Sequence, residues 1–293
     1  VGFSNGGALA MKYALDALDD QQLARPDRIV LISPMIGITE FARFAGIFGW
    51  PAIIPRFAKA AWLSVVPEFN PFKYNSFPIN GARQTSLLTR VLQQQIDRAA
   101  RENRLDKLAP ILTFHSLVDF TVSTPAVISA LYAKLPANGS ELVLFDLNRN
   151  ARLGPMLRPA FNEKIERLLP PAPRRFRTTI IANASPDTLQ EVERVVDAGA
   201  TAERTRKIDL VYPPDVYSLS HVALPFPVTD SLYGMYPGTD EHFGVNLGAM
   251  AARGEIGALI VTLDSLIRLS SNPFYPYMRD RIEEGLPSGS GAK

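Results

Sequence analysis

The chain has 293 residues, 46% of them hydrophobic, which is enough to bury the core of one large domain or of two small ones. Its 31 basic and 29 acidic residues leave a net charge of +2, so there is no electrostatic basis for a nucleic-acid partner. The absence of cysteine excludes disulfides, thiolate metal sites and a cysteine nucleophile. The three histidines are far apart and form no H-E-x-x-H motif, so we predict neither a zinc site nor another cofactor.

The first residues contain a G-x-S-x-G pattern, Gly2-Phe3-Ser4-Asn5-Gly6. This pattern is typical of a nucleophile elbow, in which a serine sits at a sharp turn between a strand and a helix. Glycines two positions before and two positions after the serine would let the two backbones approach closely. Residues 7–18 are rich in strong helix formers, and the N–H groups at the start of such a helix could stabilise a developing oxyanion.

Two other interpretations of this stretch are open. A glycine-rich helix cap would explain the same residues without any chemistry. A dinucleotide-binding loop would need G-x-G-x-x-G, but Ser4 stands where the second glycine belongs. That loop would also need an acidic residue at the end of the next strand, which ends in Ser33-Pro34 instead.

The chain begins at Val1, inside this motif, although a nucleophile elbow needs a strand before it. We therefore expect these residues to be the C-terminal part of a longer protein. We also expect this part alone to be inactive and poorly stable, because the elbow strand would lack a neighbour on one side.

Beyond the first helix, strand and helix patterns alternate, which predicts an α/β fold with a mostly parallel sheet flanked by helices. Short apolar runs bounded by proline or turn residues predict strands at residues 28–32, 111–115, 141–147, 178–182 and 207–212. Helices are predicted at residues 88–101, 124–134, 187–198 and 274–284. For the helix at 187–198, Ser185 and Pro186 serve as the starting signal and Gly199 as the stop.

Residues 37–109 interrupt this alternation with unusually apolar and aromatic sequence. Prolines and charged residues leave no uncharged run of 18 residues there, the length of a membrane span. We predict a helical cap over a hydrophobic pocket, which could also contact a membrane surface, while plain core packing is the alternative. The aromatic residues expected to bind substrate are Phe3, Phe41, Phe44, Trp50 and Trp62.

Three parts result from this pattern. The core begins at the elbow (residues 1–36), the cap follows (37–109), and the rest of the core (110–293) contains an extra strand-helix unit near residues 148–206.

With Ser4 as nucleophile, an acid and a histidine should follow in the order serine, acid, histidine. This order excludes His115 and leaves His221 and His242. His221 lies just past a predicted strand, where it could lean over the carboxyl edge of the sheet toward Ser4. His242 lies in a polar loop, and a structural role is the alternative for His221.

The predicted acid is Asp119, in a loop directly after the strand at 111–115. Its role would be to hold the imidazole tautomer and to stabilise the imidazolium while remaining ionised. A helix-capping aspartate is the structural alternative, and Asp146, near the end of the next strand, is the second candidate acid.

The elbow at residues 2–7, the strand and loop at 114–119 and Ser220-His221 together resemble the α/β-hydrolase superfamily. The apolar segment resembles the cap of its monoglyceride-lipase and serine-aminopeptidase-like (lysophospholipase) branch, and the resemblance covers residues 1 to about 225. It implies an α/β-hydrolase fold and a serine hydrolase that acts through an acyl-enzyme. The implied site has Ser4 as nucleophile, Asp119 as acid, His221 as base and the Asn5 backbone N–H as half of the oxyanion hole.

Two features depart from the family. Its other oxyanion donor lies on an early loop that is absent here, and an extra strand-helix unit separates Asp119 from His221. The aromatic segment suggests a hydrophobic pocket, so we expect hydrolysis of carboxylic esters with apolar acyl groups, on a small-molecule ester or lipid substrate. A peptidase or amidase with the same triad and a non-catalytic binding protein are the alternatives.

Overall fold

The structure is a computed structural model. It describes residues 1–37, 61–64, 72, 74, 76–117, 119, 121–147, 165–213, 219, 221–239, 241–248 and 271–286.

One large sheet organises the molecule. The strands are β1 (Gly2–Phe3), β2 (Ile29–Ile32), β3 (Trp62–Ser64), β4 (Phe77–Pro78), β5 (Ile111–Ser116), β6 (Glu141–Asp146), β7 (Arg177–Asn183), β8 (Gln190–Val196) and β9 (Glu203–Val211). Seven of them form the sheet in the order β1-β2-β5-β6-β7-β8-β9. The pairs from β1 to β7 are parallel, and β7, β8 and β9 pair antiparallel. The predicted α/β fold with a mostly parallel sheet flanked by helices is therefore confirmed.

Helices cover both faces of this sheet. They are α1 (Asn5–Asp19), α2 (Ile79–Arg101), α3 at residues 124–134, α4 (Ile165–Leu168) and α5 (Tyr275–Glu283), where α3 joins an α-helical turn, a π-helical turn and a 3-10 turn. Helices α1, α2 and α3 bury apolar residues against one face, among them Met11, Leu92, Ile96, Val127 and Leu131. The other face packs against the segments around Tyr212, Leu224, Phe274 and Met278. None of the described helices is long and apolar enough to cross a membrane.

The cap expected at residues 37–109 lies largely outside the described residues. Its described part includes a small antiparallel pair, β3 with β4, and the long helix α2. The described part therefore contains strands as well as a helix. Trp62 lies on β3, pairs with Pro78 and is 43% exposed.

The helix predicted at residues 187–198 is wrong, because β8 occupies residues 190–196. Ser185 and Pro186 lie in the turn between β7 and β8, where the Thr188 N–H donates to the Ser185 carbonyl at 3.2 Å. Gly199 lies in the turn between β8 and β9 at φ 77°. The unit expected near 148–206 therefore includes a strand followed by an antiparallel hairpin. The sequence signals were ambiguous because the same residue types start helices and tight turns.

Two acidic side chains of the strand β8 are buried, and their presence made the strand hard to recognise from the sequence. The Glu193 carboxylate accepts from the Tyr277 hydroxyl at 2.7 Å and from Arg206 at 2.6 Å. The Glu191 Oε1 accepts from the Asn183 amide at 2.8 Å, but its Oε2 has no hydrogen-bond partner among the described residues. Burial and, to a smaller extent, the nearby Asp146 together raise the pKa of Glu191 to about 8.

The buried Glu191 should make the protein less stable in alkali. Its folded pKa of about 8 exceeds the ordinary value of 4.5, so stability is lost as the pH rises from 4.5 through 8. The variant Glu191→Gln should remove this loss and be more stable than the parent by about 2–4 kcal/mol above pH 8, while matching it near pH 4.5. Urea unfolding across this pH range measures the effect. The exposed Glu203→Gln is the control, and an unchanged pH dependence in Glu191→Gln would show the prediction to be wrong.

Candidate active site

The serine of the G-x-S-x-G pattern occupies a strained turn. Ser4 lies between β1 and α1 at φ 52° and ψ −120°. A non-glycine residue held in a sparsely populated backbone region costs about 1–3 kcal/mol and persists only where its surroundings fix it. Here the Ser4 N–H donates to the Ile32 carbonyl at 3.0 Å, and the Ser4 carbonyl accepts from the Met35 N–H at 3.0 Å. The backbone therefore has the strain that a nucleophile elbow requires.

The close approach of strand and helix involves Gly2 and Gly7. A Cβ on Gly2 would lie 2.6 Å from the Gly6 carbonyl oxygen, and one on Gly7 would lie 2.8 Å from the Cβ of Pro34. A Cβ on Gly6 would meet nothing within 4 Å. The pattern was expected to need its second glycine, Gly6, because strand and helix approach closely there. This expectation is wrong for Gly6, and the close approach occurs at Gly7 instead.

Asn5 begins α1 and is exposed beside the elbow. As the first helical residue, its N–H has no acceptor within the helix and is available to a bound group. The positive end of the helix dipole lies at the same place, which favours a negative charge there. The geometry is suited to half of an oxyanion hole.

The structure brings Asp119 and His221 together across the sheet edge. The His221 Nδ1 lies 3.1 Å from the Asp119 Oδ2, and both side chains are buried. The other carboxylate oxygen, Oδ1, accepts from the backbone N–H groups of Thr121 at 2.9 Å and Val122 at 2.8 Å. The loop after β5 therefore fixes the Oδ1 of Asp119 by backbone hydrogen bonds and leaves the Oδ2 for side-chain donors.

His221 is held from two more sides. It begins a 3-10 turn, His221–Ala223, and its ring lies 5.3 Å from the ring of Phe3, the residue directly before Ser4. The Ser116 hydroxyl at the end of β5 donates to the Leu219 carbonyl at 2.8 Å, which anchors the segment leading to the histidine. Ser4 itself is half-buried next to this ring contact.

Two residues that the sequence analysis left out, Ser33 and His115, belong to the same cluster. The Ser33 hydroxyl donates to the Asp119 Oδ2 at 2.6 Å and lies 3.2 Å from the His115 Nδ1. The His115 Nε2 lies 2.9 Å from the Thr124 hydroxyl. A histidine inside an otherwise apolar strand, four residues before the candidate acid, was the available sequence signal.

The electrostatics of this cluster keep the acid charged and the inner histidine neutral. Burial raises the pKa of Asp119, but the charge and hydrogen bond of His221, then His115 and the Ser33 hydrogen bond, outweigh it and lower this pKa below its ordinary value. Burial lowers the pKa of His115 to about 4, which the charge of Asp119 opposes and that of His221 reinforces. At neutral pH the cluster holds one carboxylate and a neutral His115.

The remaining predicted site residues are placed as follows. Phe41, Phe44 and Trp50 lie outside the described residues. The other histidine, His242, is exposed, and Asp146 ends β6. In the part of the chain that the structure describes, no group of three or more His, Asp or Glu side chains could hold a metal ion.

Comparisons with known proteins show a partial likeness to a solved structure. No family model matches the chain, and no curated protein matches it. Among solved structures, it is similar to a soluble variant of monoglyceride lipase from Saccharomyces cerevisiae in complex with a substrate analog, at 12% identity and a TM-score of 0.33. The match covers 49% of this chain and 50% of that chain, so the chain spans half the length of this structure. A likeness this slight carries no conclusion about activity.

The two glycines after Ser4 should respond oppositely to the same substitution. Gly7→Ala forces a Cβ against Pro34 and should lower the free energy of unfolding by about 1–3 kcal/mol. Gly6→Ala meets open space and removes a poor helix former, so it should be neutral or stabilising by up to about 1 kcal/mol. Chemical denaturation of the matched pair measures this difference. Equal losses of stability in both variants would contradict the account of the elbow.

Proposed function

We propose that the protein is a serine hydrolase that cleaves carboxylic esters with apolar acyl groups. Ser4 is the nucleophile, His221 the general base and Asp119 the acid that orients it. The observation that supports this assignment is the hydrogen bond from His221 to a buried carboxylate, made while the same ring packs on the residue before a strained serine.

The contacts of Asp119 determine the direction of proton transfer. An ionised carboxylate only accepts, so the His221 Nδ1 carries the proton that it shares with Oδ2. In that tautomer the Nε2 is the basic nitrogen, and it takes the proton of the Ser4 hydroxyl as the Ser4 oxygen attacks the ester carbonyl. The same proton passes to the leaving alcohol when the C–O bond breaks, which leaves an acyl group on Ser4. Water then attacks this acyl-enzyme, with His221 again as the base.

The negative oxygen of each tetrahedral intermediate needs donors in place before the reaction. The Asn5 N–H and the first turn of α1 supply a free donor and a positive dipole end beside Ser4. One such donor is commonly worth about 10²–10³ in rate.

The proposed acyl preference depends on the surroundings of the elbow. Phe3 presents an aromatic ring at His221, and residues 37–109 are rich in aromatic and aliphatic side chains. An acyl chain gains about 0.8 kcal/mol for each methylene that it buries, so aromatic and aliphatic surroundings would favour apolar acyl groups. The same segment, acting as a cap, would let the enzyme take lipid esters from a membrane surface.

The proposal is tested on the protein at the full length that its gene encodes. A fluorophosphonate probe should label Ser4, and hydrolysis of p-nitrophenyl butyrate should fall at least about 10³-fold in Ser4→Ala and in His221→Ala. Ser86→Ala, a buried serine on α2, is the matched control and should keep the parent rate. Labelling of another residue, or a parent rate in Ser4→Ala, would overturn the assignment. A preference for aminoacyl amides over esters would show a peptidase or amidase instead, and absence of labelling would show a binding protein.

A further inference from the structure

We propose that Ser33 and His115 form a hydrogen-bond relay that positions the acid Asp119 and moderates its pull on His221. Both are positioning residues, because they act through the carboxylate and touch neither substrate nor nucleophile. The inference deepens the proposed hydrolase function and rests on it.

The relay begins at the carboxylate oxygen that faces His221. Oδ2 has two side-chain donors, the Ser33 hydroxyl at 2.6 Å and the His221 Nδ1 at 3.1 Å. The shorter of the two bonds is therefore the one to the serine. A charge-assisted O–H···O⁻ bond of this length is strong, so Ser33 takes part of the negative charge that would otherwise face the imidazole.

The proton directions of the other members follow from this first bond. Since the Ser33 hydroxyl gives its only proton to Asp119, it can only accept from His115. The His115 Nδ1 must then carry the ring proton, so its Nε2 accepts from the Thr124 hydroxyl at 2.9 Å. The carbonyls of Leu117 and Ser116 compete for that hydroxyl proton, but they lie farther away, at 3.3 and 3.5 Å. The resulting chain runs from Thr124 through His115 and Ser33 to Asp119. The lowered pKa of His115 agrees with a neutral ring that has one proton to give.

The backbone conformation at Ser33 indicates that a serine occupies this position because of its hydroxyl group. Ser33 is fully buried at φ 42°, a conformation that favours glycine, and its N–H donates to the Phe114 carbonyl at 2.8 Å. A serine is strained here where a glycine would not be, and the feature that serine adds is the hydroxyl bonded to Asp119 and His115. His115 is likewise fully buried, on the strand that leads to the acid.

Loss of the relay should change the pH dependence of the reaction in one direction. Among the described residues, Asp119 and His115 are titratable groups that interact with the His221 ring, and the apolar ring of Phe3 packs on it. Without the Ser33 donor, Oδ2 holds more negative charge and stabilises the imidazolium more strongly. The acid limb of the kcat/KM profile should therefore move to higher pH, by about half a unit.

Ser33→Gly and Ser33→Ala form the test pair. Both remove the hydroxyl, but the glycine variant relieves the positive φ whereas the alanine variant keeps it. Both should show the same upward shift of the acid limb and a kcat lowered about tenfold at similar KM. A tenfold change in rate is about 1.4 kcal/mol, which a hydrogen bond to a charged group commonly contributes. Ser33→Gly should be the more stable of the two. A normal pH limb and kcat in Ser33→Gly would overturn the relay.

Variants of His115 test the second link. His115→Asn can still place an N–H near the former Nδ1 and should resemble the parent, whereas His115→Leu removes the donor and should resemble Ser33→Gly. An effect of equal size in both would reduce His115 to a packing role and overturn its part in the relay.

A measurement without substrate separates this inference from the proposed function. The chain has three histidines, so nitrogen NMR of the folded protein, assigned with His242→Ala and His221→Ala, resolves the His115 ring. The relay requires the Nδ1–H tautomer from about pH 5 upward, and the Nε2–H tautomer would overturn it. Hydrolysis by the parent with an unshifted limb in Ser33→Gly would overturn the relay alone. Absence of any hydrolysis with the Nδ1–H tautomer present would overturn the function alone.

Discussion

The carboxylate of Asp119 is the interaction on which the candidate site depends. It is a buried negative charge that accepts from two backbone N–H groups, one hydroxyl and one imidazole. Without these donors the group would take up a proton, because burial of an unpaired carboxylate costs far more than neutralising it. The charge therefore persists because the end of β2, the loop after β5 and the turn at 221–223 meet at one edge of the sheet. Parallel strands bring their carboxyl ends to that edge, which is where α/β folds place their ligands.

Much of the fold follows from local patterns. The strands β2, β5, β6 and β7 were predictable because each is a short apolar run between prolines or turn residues, and buried parallel strands need little else. The strand β8 was not predictable in the same way. Its glutamates gave it a mixed polar pattern, and their partners, Tyr277 and Asn183, lie on separate segments. Serine, proline and glycine at its ends start and stop helices as readily as hairpin strands, so only the pairing with β7 decides between them.

The candidate site was predictable where chain order limits the choices. Among the residues that the order serine, acid, histidine allows, positions just past predicted strands favoured Asp119 and His221, and the structure brings these two side chains into contact. The same order excluded His115 as the base, although His115 belongs to the hydrogen-bonded cluster around Asp119. Ser33 had no signal beyond its position at a strand end, because its bond to Asp119 joins residues far apart in the chain. Residues that hydrogen-bond to a candidate triad member without belonging to the triad are thus recognised from three-dimensional contacts, not from motif spacing.

The most direct test is a crystal structure of the full-length protein with Ser4 intact. The hydrolase account predicts the His221 Nε2 within about 2.6–3.2 Å of the Ser4 hydroxyl oxygen, while the Nδ1 of the same ring stays on the Asp119 carboxylate. A ring whose Nε2 points away from Ser4, with no other base beside that hydroxyl, would contradict it.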